Sequence, residues 1–242
     1  MVPTYNEAGN IELLLQSVLD NVGSAHILVV DDGSPDGTAD LVEAFSQAQS
    51  LGDRVRVMRR TKKEGLGAAY RAGFARALDE GADICVQMDA DMSHDAKYLP
   101  ALISAVTTGA DAALGSRYIP GGAIENWLPL RRFLSRWGNR FAAGMLGLAI
   151  NDATSGFRAY RRSLLQAMSY ETVRADGYGF QVEMSHRAVR QGARIIEVPI
   201  LFKDRVVGES KLTYHIIGEA FSLVVGLWFR DRFIRRLRGR RR

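Results

Sequence analysis

The chain reads as an α/β domain built on a mostly parallel central sheet with helices on both faces. Short apolar runs alternate with longer amphipathic segments, several runs end in acidic or small residues, and the turns between them carry Gly, Asp and Ser. Ile11, Leu14, Leu15, Val18 and Val22 recur at helical spacing, which predicts a helix from about Glu7 to Val22 with Asn6 as its N-cap. His26 to Val30 is a strand ending in Asp31-Asp32-Gly33. Ser34-Pro35-Asp36-Gly37 is turn chemistry, and a helix follows from Thr38 to about Ala48. Val55 to Met58 is the next strand, Gly67 to Leu78 a helix of small residues, and Ile84 to Met88 a strand that runs into Asp89-Ala90-Asp91. A helix from about Asp95 to Val106 and a strand from Ala112 to Gly115 continue the alternation.

After Ser116 the rhythm breaks. Trp127 to Leu148 reads as one or two amphipathic helices rich in Arg and aromatics. A short element at Phe157 to Tyr160, a helix near Tyr178 to Gln191 and a strand from Arg194 to Val198 complete the core. No Pro- or Ser-rich linker interrupts the chain, so the expected organisation is one catalytic domain over residues 1–212, then an amphipathic helix and Arg-rich tail over 213–242. Met1-Val2-Pro3 looks like the end of a strand, so the native start is expected upstream.

With 47% hydrophobic and 24% charged residues in 242, the composition is that of an ordinary globular protein. The single cysteine, Cys85, forms no intrachain disulfide and rules out a Cys-based zinc site, and the four histidines lack ligand spacing. The net charge of +5 is concentrated in the tail beyond Arg230. No apolar run approaches the roughly 20 residues that span a bilayer, and no signal peptide is expected, since the N-terminus enters a structured motif at once. These features predict a soluble or peripheral protein. An Arg run binds any polyanion, but without a recognition fold around it a nucleic-acid role is not expected.

Two nucleotide motifs are excluded. Gly65-Leu66-Gly67-Ala68-Ala69-Tyr70 fails the dinucleotide fingerprint at its third glycine and follows no clear strand, and no P-loop occurs. What remains is a set of charged strand ends. Asp89 and Asp91, one residue apart at the end of an apolar strand, make a hard-oxygen site for Mg²⁺ or Mn²⁺, and ligand crevices of α/β sheets lie outside such ends. Asp31-Asp32 end another strand and Arg117, in Gly115-Ser116-Arg117-Tyr118, a third. Carboxylates accept ribose hydroxyl protons and arginine forks bind phosphate oxygens, so the three ends together imply a nucleotide crevice.

Val2-Pro3-Thr4-Tyr5-Asn6-Glu7, Asp31 through Thr38, Gly65-Leu66-Gly67, Asp89-Ala90-Asp91, Thr154-Ser155-Gly156-Phe157-Arg158 and Gly208-Glu209-Ser210-Lys211 occur in order along nearly the whole chain. This ordered set resembles the family 2 glycosyltransferases, and within them the dolichol-phosphate and bacterial polyprenol-phosphate mannose synthases. The resemblance implies a GT-A type fold and inverting transfer of mannose from GDP-mannose to a polyprenyl monophosphate. It implies that Pro3, Tyr5, Glu7, Val30 and Asp32 line the nucleoside pocket and that Asp89, Ala90 and Asp91 hold metal and diphosphate. Ser93 stands where some members carry a Gln, so Ser93 or a water is expected to complete the metal shell. Arg205 and Lys211 match the basic pair of a loop that closes on the diphosphate.

A phosphate acceptor, with a second pKa of ~6, is largely dianionic at neutral pH and needs positioning more than deprotonation. Arg117, Arg131 and Ser135 are the expected acceptor-phosphate residues, and Asp152 the candidate base or sugar-orienting carboxylate. Trp127, Leu128, Leu130, Phe133, Leu134 and Trp137, interleaved with Arg131, Arg132 and Arg136, suit a helix lying on the cytoplasmic face of a membrane, where a membrane-protein partner is also conceivable. Rival readings are a UDP-glucose-dependent polyprenyl-phosphate glucosyltransferase and a non-catalytic nucleotide-sugar-binding subunit that recruits partners to membranes.

Overall fold

The structure, a computed structural model, describes residues 1–204 and 214–239. Nine strands and eight helices follow one another along the described chain. They are β1 (Val2–Thr4), α1 (Ile11–Asn21), β2 (Ile27–Asp31), α2 (Thr38–Ala48), β3 (Val55–Arg59), α3 (Leu66–Asp79), β4 (Ile84–Gln87), α4 (Leu99–Thr107), β5 (Ala112–Ser116), β6 (Ala123–Ile124), α5 (Pro129–Leu146), β7 (Arg158–Arg161), α6 (Arg162–Ala167), α7 (Gly177–Arg190), β8 (Ile195–Pro199), β9 (Leu201–Phe202) and α8 (Tyr214–Gly239).

β1, β2 and β3 pair in parallel, with Pro3 beside Val30 and Thr4 beside Asp31. A second group runs in the order β4-β7-β5-β8. Met1 joins the two groups: its amino group donates to the Val86 carbonyl (2.9 Å), and its own carbonyl accepts from the Met88 N–H (3.2 Å). Below this junction an apolar cavity of about 760 Å³ opens between β2 and β4, bordered by Ile27, Leu28, Ile84, Val86 and Ile103.

Strand alternation divides the core between the two faces. Val29, Val55, Ala113 and Ala159 face the helices α1, α2 and α4, whereas Cys85, Ala112, Leu114 and Tyr160 face the helices α3, α5, α6 and α7. Neighbouring residues 112, 113 and 114 therefore serve opposite cores, which explains why β5 is apolar up to Ser116 and buried at every position.

One expectation needs correction, and two that were left open are now settled. Asn6 is not a helix cap. It sits at φ +61° and α1 begins five residues later, because the Ser34–Thr38 loop supplies the acceptors that the Asn6, Glu7 and Ala8 N–H groups need. The short element at Phe157–Tyr160 is β7, an antiparallel strand inserted between β4 and β5 in the middle of the sheet. The Trp127–Leu148 segment forms one continuous helix after Pro129, whose fixed φ suits a first helical position.

Candidate active site

Because β7 runs against its neighbours, its N-terminal end shares an edge with the C-terminal ends of β1, β2, β4, β5 and β8. Every charged strand end singled out in the sequence therefore lies along one edge, and the loop from Asp152 to Phe157 meets two of them, at Arg117 and Asp89.

The two acids after β2 divide their work. Asp31 is a loop tie: it accepts from Thr4 Oγ1 (2.9 Å), the Ser34 N–H (2.9 Å) and Ser34 Oγ (2.5 Å). Asp32 pairs with Arg60 (2.5 Å), and its carboxyl is raised from the ordinary value because burial outweighs the nearby guanidinium. Pro3 and Val30, paired across β1 and β2, are buried. Tyr5 carries the Lys63 ammonium over its ring at 3.8 Å, and Glu7 accepts from Asn10 Nδ2 (2.9 Å).

After β4, Asp89 keeps a third of its side chain open (32%) while Ala90 and Asp91 are buried. Asp89 accepts from Tyr70 Oη at 2.7 Å, and Asp91 from the Ser93 N–H at 3.1 Å. Met92 turns the loop with a positive φ of 60°. Ser93 Oγ and His94 Nδ1 are both buried and lack hydrogen-bond partners among the described residues. His94 stacks on Phe157 (5.1 Å) with Nδ1 3.8 Å from Asp89 Oδ2. Burial lowers its pKa, although Asp89 and Asp91 favour the protonated ring. Gly156 lies against Asp89: a Cβ there would stand 2.8 Å from Oδ2.

Arg117, after β5, is clamped. Its backbone N–H (3.0 Å), Nε (2.7 Å) and Nη2 (2.7 Å) all donate to Asp152, and Nη2 also reaches Thr154 Oγ1 (2.8 Å). Burial acts against both charges. The pairing prevails, so the Asp152 carboxyl falls below and the Arg117 guanidinium rises above its ordinary range. Asp152 is therefore better fitted to hold Arg117 than to serve as the base expected of it, since both its oxygens are taken and it is 0% exposed. Nη1 of Arg117 makes no hydrogen bond among the described residues, and the guanidinium carbon lies 5.3–5.7 Å from the rings of Tyr118, Trp127 and Phe202. From α5, Arg131 stacks on Trp127 (3.9 Å) and pairs with Asp204 (3.0 Å), its buried Nε having no partner among the described residues, and Ser135 Oγ meets Tyr118 Oη at 2.6 Å. Arg205 and Lys211 lie outside the described residues.

Residues 1–168 match the family model described as glycosyl transferase family 2. The chain belongs to that family. It is 45% identical over 235 residues to a polyprenol monophosphomannose synthase of Mycolicibacterium smegmatis, covering 97% of this chain and 88% of that protein. It is 46% identical over 220 residues to an undecaprenyl-phosphate mannosyltransferase of Micrococcus luteus, covering 91% and 89%. Among solved structures, the Mycobacterium tuberculosis glucosyl-3-phosphoglycerate synthase with Mn²⁺ and UDP-glucose superposes with a TM-score of 0.65 at 21% identity, over 95% of this chain and 77% of that one. The family 2 chain thus has the GT-A fold.

The residues present fit a divalent ion carried in with a diphosphate. Among the described residues no three His, Cys, Asp or Glu side chains gather into a protein-made metal cage. Two carboxylates, with a buried hydroxyl nearby that has no partner among the described residues, supply instead hard oxygen donors for an incomplete, open cation site.

Sequence reasoning gave no individual role to several residues around the site. Tyr70 lies in a motif dismissed as a failed dinucleotide fingerprint. His94 was excluded for lack of ligand spacing. Arg158, fully buried, donates to the Ser155 (2.6 Å) and Ala153 (2.6 Å) carbonyls, Ser185 Oγ (2.8 Å) and Tyr160 Oη (3.2 Å), and so shapes the loop beneath Asp89. Asp176 receives the Gly67 N–H (2.6 Å) from 109 residues away. At Arg158 the local signals were a charged residue in an otherwise apolar stretch and its place in the Thr154–Arg158 motif.

Proposed function

We propose that this chain transfers mannose from GDP-mannose to a polyprenyl monophosphate, with inversion at the anomeric carbon, at a membrane surface. The single observation that carries the reading is the Arg117–Asp152 clamp on the same sheet edge as Asp89 and Asp91. A rigid guanidinium on the same edge as a carboxylate pair gives that edge a place for a phosphate acceptor and another for a diphosphate donor. The names of the two relatives above supply the sugar and the lipid class.

Pro3, Tyr5, Glu7, Val30 and Asp32 take the nucleoside. Asp89 and Asp91, with Ser93 nearby, hold Mg²⁺ or Mn²⁺ against the diphosphate, with Arg205 and Lys211 closing over it. The cation, when bound, neutralises charge growing on the leaving diphosphate. Arg117, through Nη1, with Arg131 and Ser135 holds the acceptor phosphate, whose dianion attacks without a protein base. Asp152 keeps the guanidinium aimed, so the charge that binds the acceptor needs no reorganisation during transfer.

The membrane reading is supported by α5. Leu128, Leu130, Phe133, Leu134 and Trp137 are exposed, and Arg132 and Arg136 lie among them. Phe221 of α8 stacks on Phe141 (5.1 Å), which stacks on Trp137 (5.5 Å), so the two helices present one surface. No helix among the described residues is long and apolar enough to cross a bilayer, so this surface is the route to a lipid acceptor.

The test uses purified protein, Mn²⁺ or Mg²⁺, a short polyprenyl phosphate, and labelled GDP-mannose beside UDP-glucose. Label from GDP-mannose in an organic-extractable, mild-acid-labile product supports the proposal. Label only from UDP-glucose overturns the sugar and base assignment. Donor binding with no transfer from either overturns the catalytic reading.

A further inference from the structure

Tyr70 occupies the third position of a motif that carries no dinucleotide, and its hydroxyl reaches another element altogether. Its ring is 0% exposed, stacked on Phe180 of α7 (5.5 Å) and Phe74 (6.3 Å), and its Oη donates to Asp89 Oδ1 at 2.7 Å. The other carboxylate oxygen, Oδ2, is the one that faces His94 Nδ1 and the backbone at Gly156. One oxygen is thereby engaged and the other is left to a ligand in the cleft.

We propose that Tyr70 is the positioning residue that sets the Asp89 carboxylate for a phosphate-bound divalent cation. The inference rests on the reading of Asp89 as a cation-holding group. A carboxylate on a loop, one third open to solvent, rotates freely about its last bonds unless something engages one oxygen. The Tyr70 hydroxyl is the only hydrogen-bond donor that Asp89 has among the described residues. Its own placement is secured well beyond α3. Asp176, at the start of α7, accepts the Gly67 N–H in the first turn of α3, and Phe180 from the next turn of α7 carries the Tyr70 ring. A Cβ on Gly65 would fall 2.1 Å from Asp176 Oδ2, so this contact is as close as the backbone permits. The α3–α7 contact is thus converted into the angle of one carboxylate. Removing the hydroxyl leaves the packing intact and releases Asp89 to a spread of rotamers, each with a weaker grip on the ion.

The experiment measures Mn²⁺ binding in the presence of GDP, by the paramagnetic resonance signal of free Mn²⁺, for wild type, Y70F, F74L and D89N. Y70F is expected to raise the Mn²⁺ Kd about tenfold, to raise the KM for metal similarly while kcat at saturating metal stays within about threefold, and to melt within a few degrees of wild type. F74L disturbs the same aromatic stack without touching Asp89, and is expected to lower the melting temperature with Mn²⁺ affinity unchanged. Wild-type Mn²⁺ affinity in Y70F, with D89N abolishing binding, overturns the role of Tyr70 and leaves the site standing. Equal weakening in Y70F and F74L also overturns it, since packing alone then explains the loss. Undiminished binding in D89N overturns the cation site itself.

Discussion

Replacing Asp152 with asparagine removes one charge from a pair that is almost wholly out of water. Asp152 is 0% exposed and the Arg117 side chain 4%, and three Arg117 donors converge on the one carboxylate. Asparagine keeps the volume and one acceptor oxygen but turns the other into a donor aimed at a guanidinium N–H. Breaking a buried pair by removing one partner typically costs 3–5 kcal/mol, because the remaining charge stays desolvated. For a chain of this size about 1 kcal/mol lowers Tm by roughly 2–4 °C, so D152N is expected to melt about 10 °C below wild type. The mutant cycle with R117M is the stronger assay. The double mutant, with both charges gone, is expected to be more stable than D152N alone, giving a coupling of about 2 kcal/mol or more. Affinity for a short polyprenyl phosphate is expected to fall in D152N, since an unclamped guanidinium must be ordered on binding. The same pair sets an acid limit. The folded Asp152 carboxyl lies below its ordinary value, so its stabilising contribution is complete above the unfolded pKa of about 4 and is lost as pH falls through the depressed folded value. A D152N protein within about 1 kcal/mol of wild type, or strict additivity with R117M, would refute the reasoning.

Other consequences are equally direct. G156A places a methyl 2.8 Å from Asp89 Oδ2, so turnover is expected to fall about 100-fold with little change in melting temperature, measured at saturating metal. His186 is buried between α7 and α8, where burial lowers its pKa more than Asp231 raises it and Arg190 and Arg230 oppose protonation. Its neutral form is the folded one, so stability is expected to decline as pH drops below about 6.5, and H186Q to flatten that slope in urea titrations. F133D/W137D is expected to cut co-sedimentation with anionic vesicles at least tenfold while transfer to a detergent-dispersed short acceptor stays within about twofold. Equal losses in both assays would show that α5 serves the acceptor site and not the bilayer.

Elements bounded by strong local chemistry were legible from residues alone. The α2 helix begins at Thr38 and ends at Ala48 as its spacing implies, since Ser34-Pro35-Asp36-Gly37 before it is a turn in almost any context. The start of α1 was misread, because the partners of the Asn6, Glu7 and Ala8 N–H groups sit some thirty residues later in the Ser34–Thr38 loop. β7 was seen as an element but not as a central antiparallel strand, because four residues carry no statement of direction or neighbour.

At the site the same division holds. Asp89, Asp91 and Arg117 could be named because each ends an apolar run, and hydrophobic periodicity alone marks those ends. That Asp31 ties a loop while Asp32 meets Arg60, or that Asp152 holds Arg117, depends on which way each side chain turns once the strands are paired. By itself the sequence determined the strand–helix alternation, the acidic and basic strand ends, and a family resemblance spread along the chain. Only the tertiary structure decided which oxygen of Asp89 is engaged, by Tyr70 nineteen residues before it, and which charges neutralise one another out of water. Periodicity reports which face of an element is buried. The partner it is buried against is set by long-range pairing, and hydrogen bonds a few ångströms long leave no trace in local residue order.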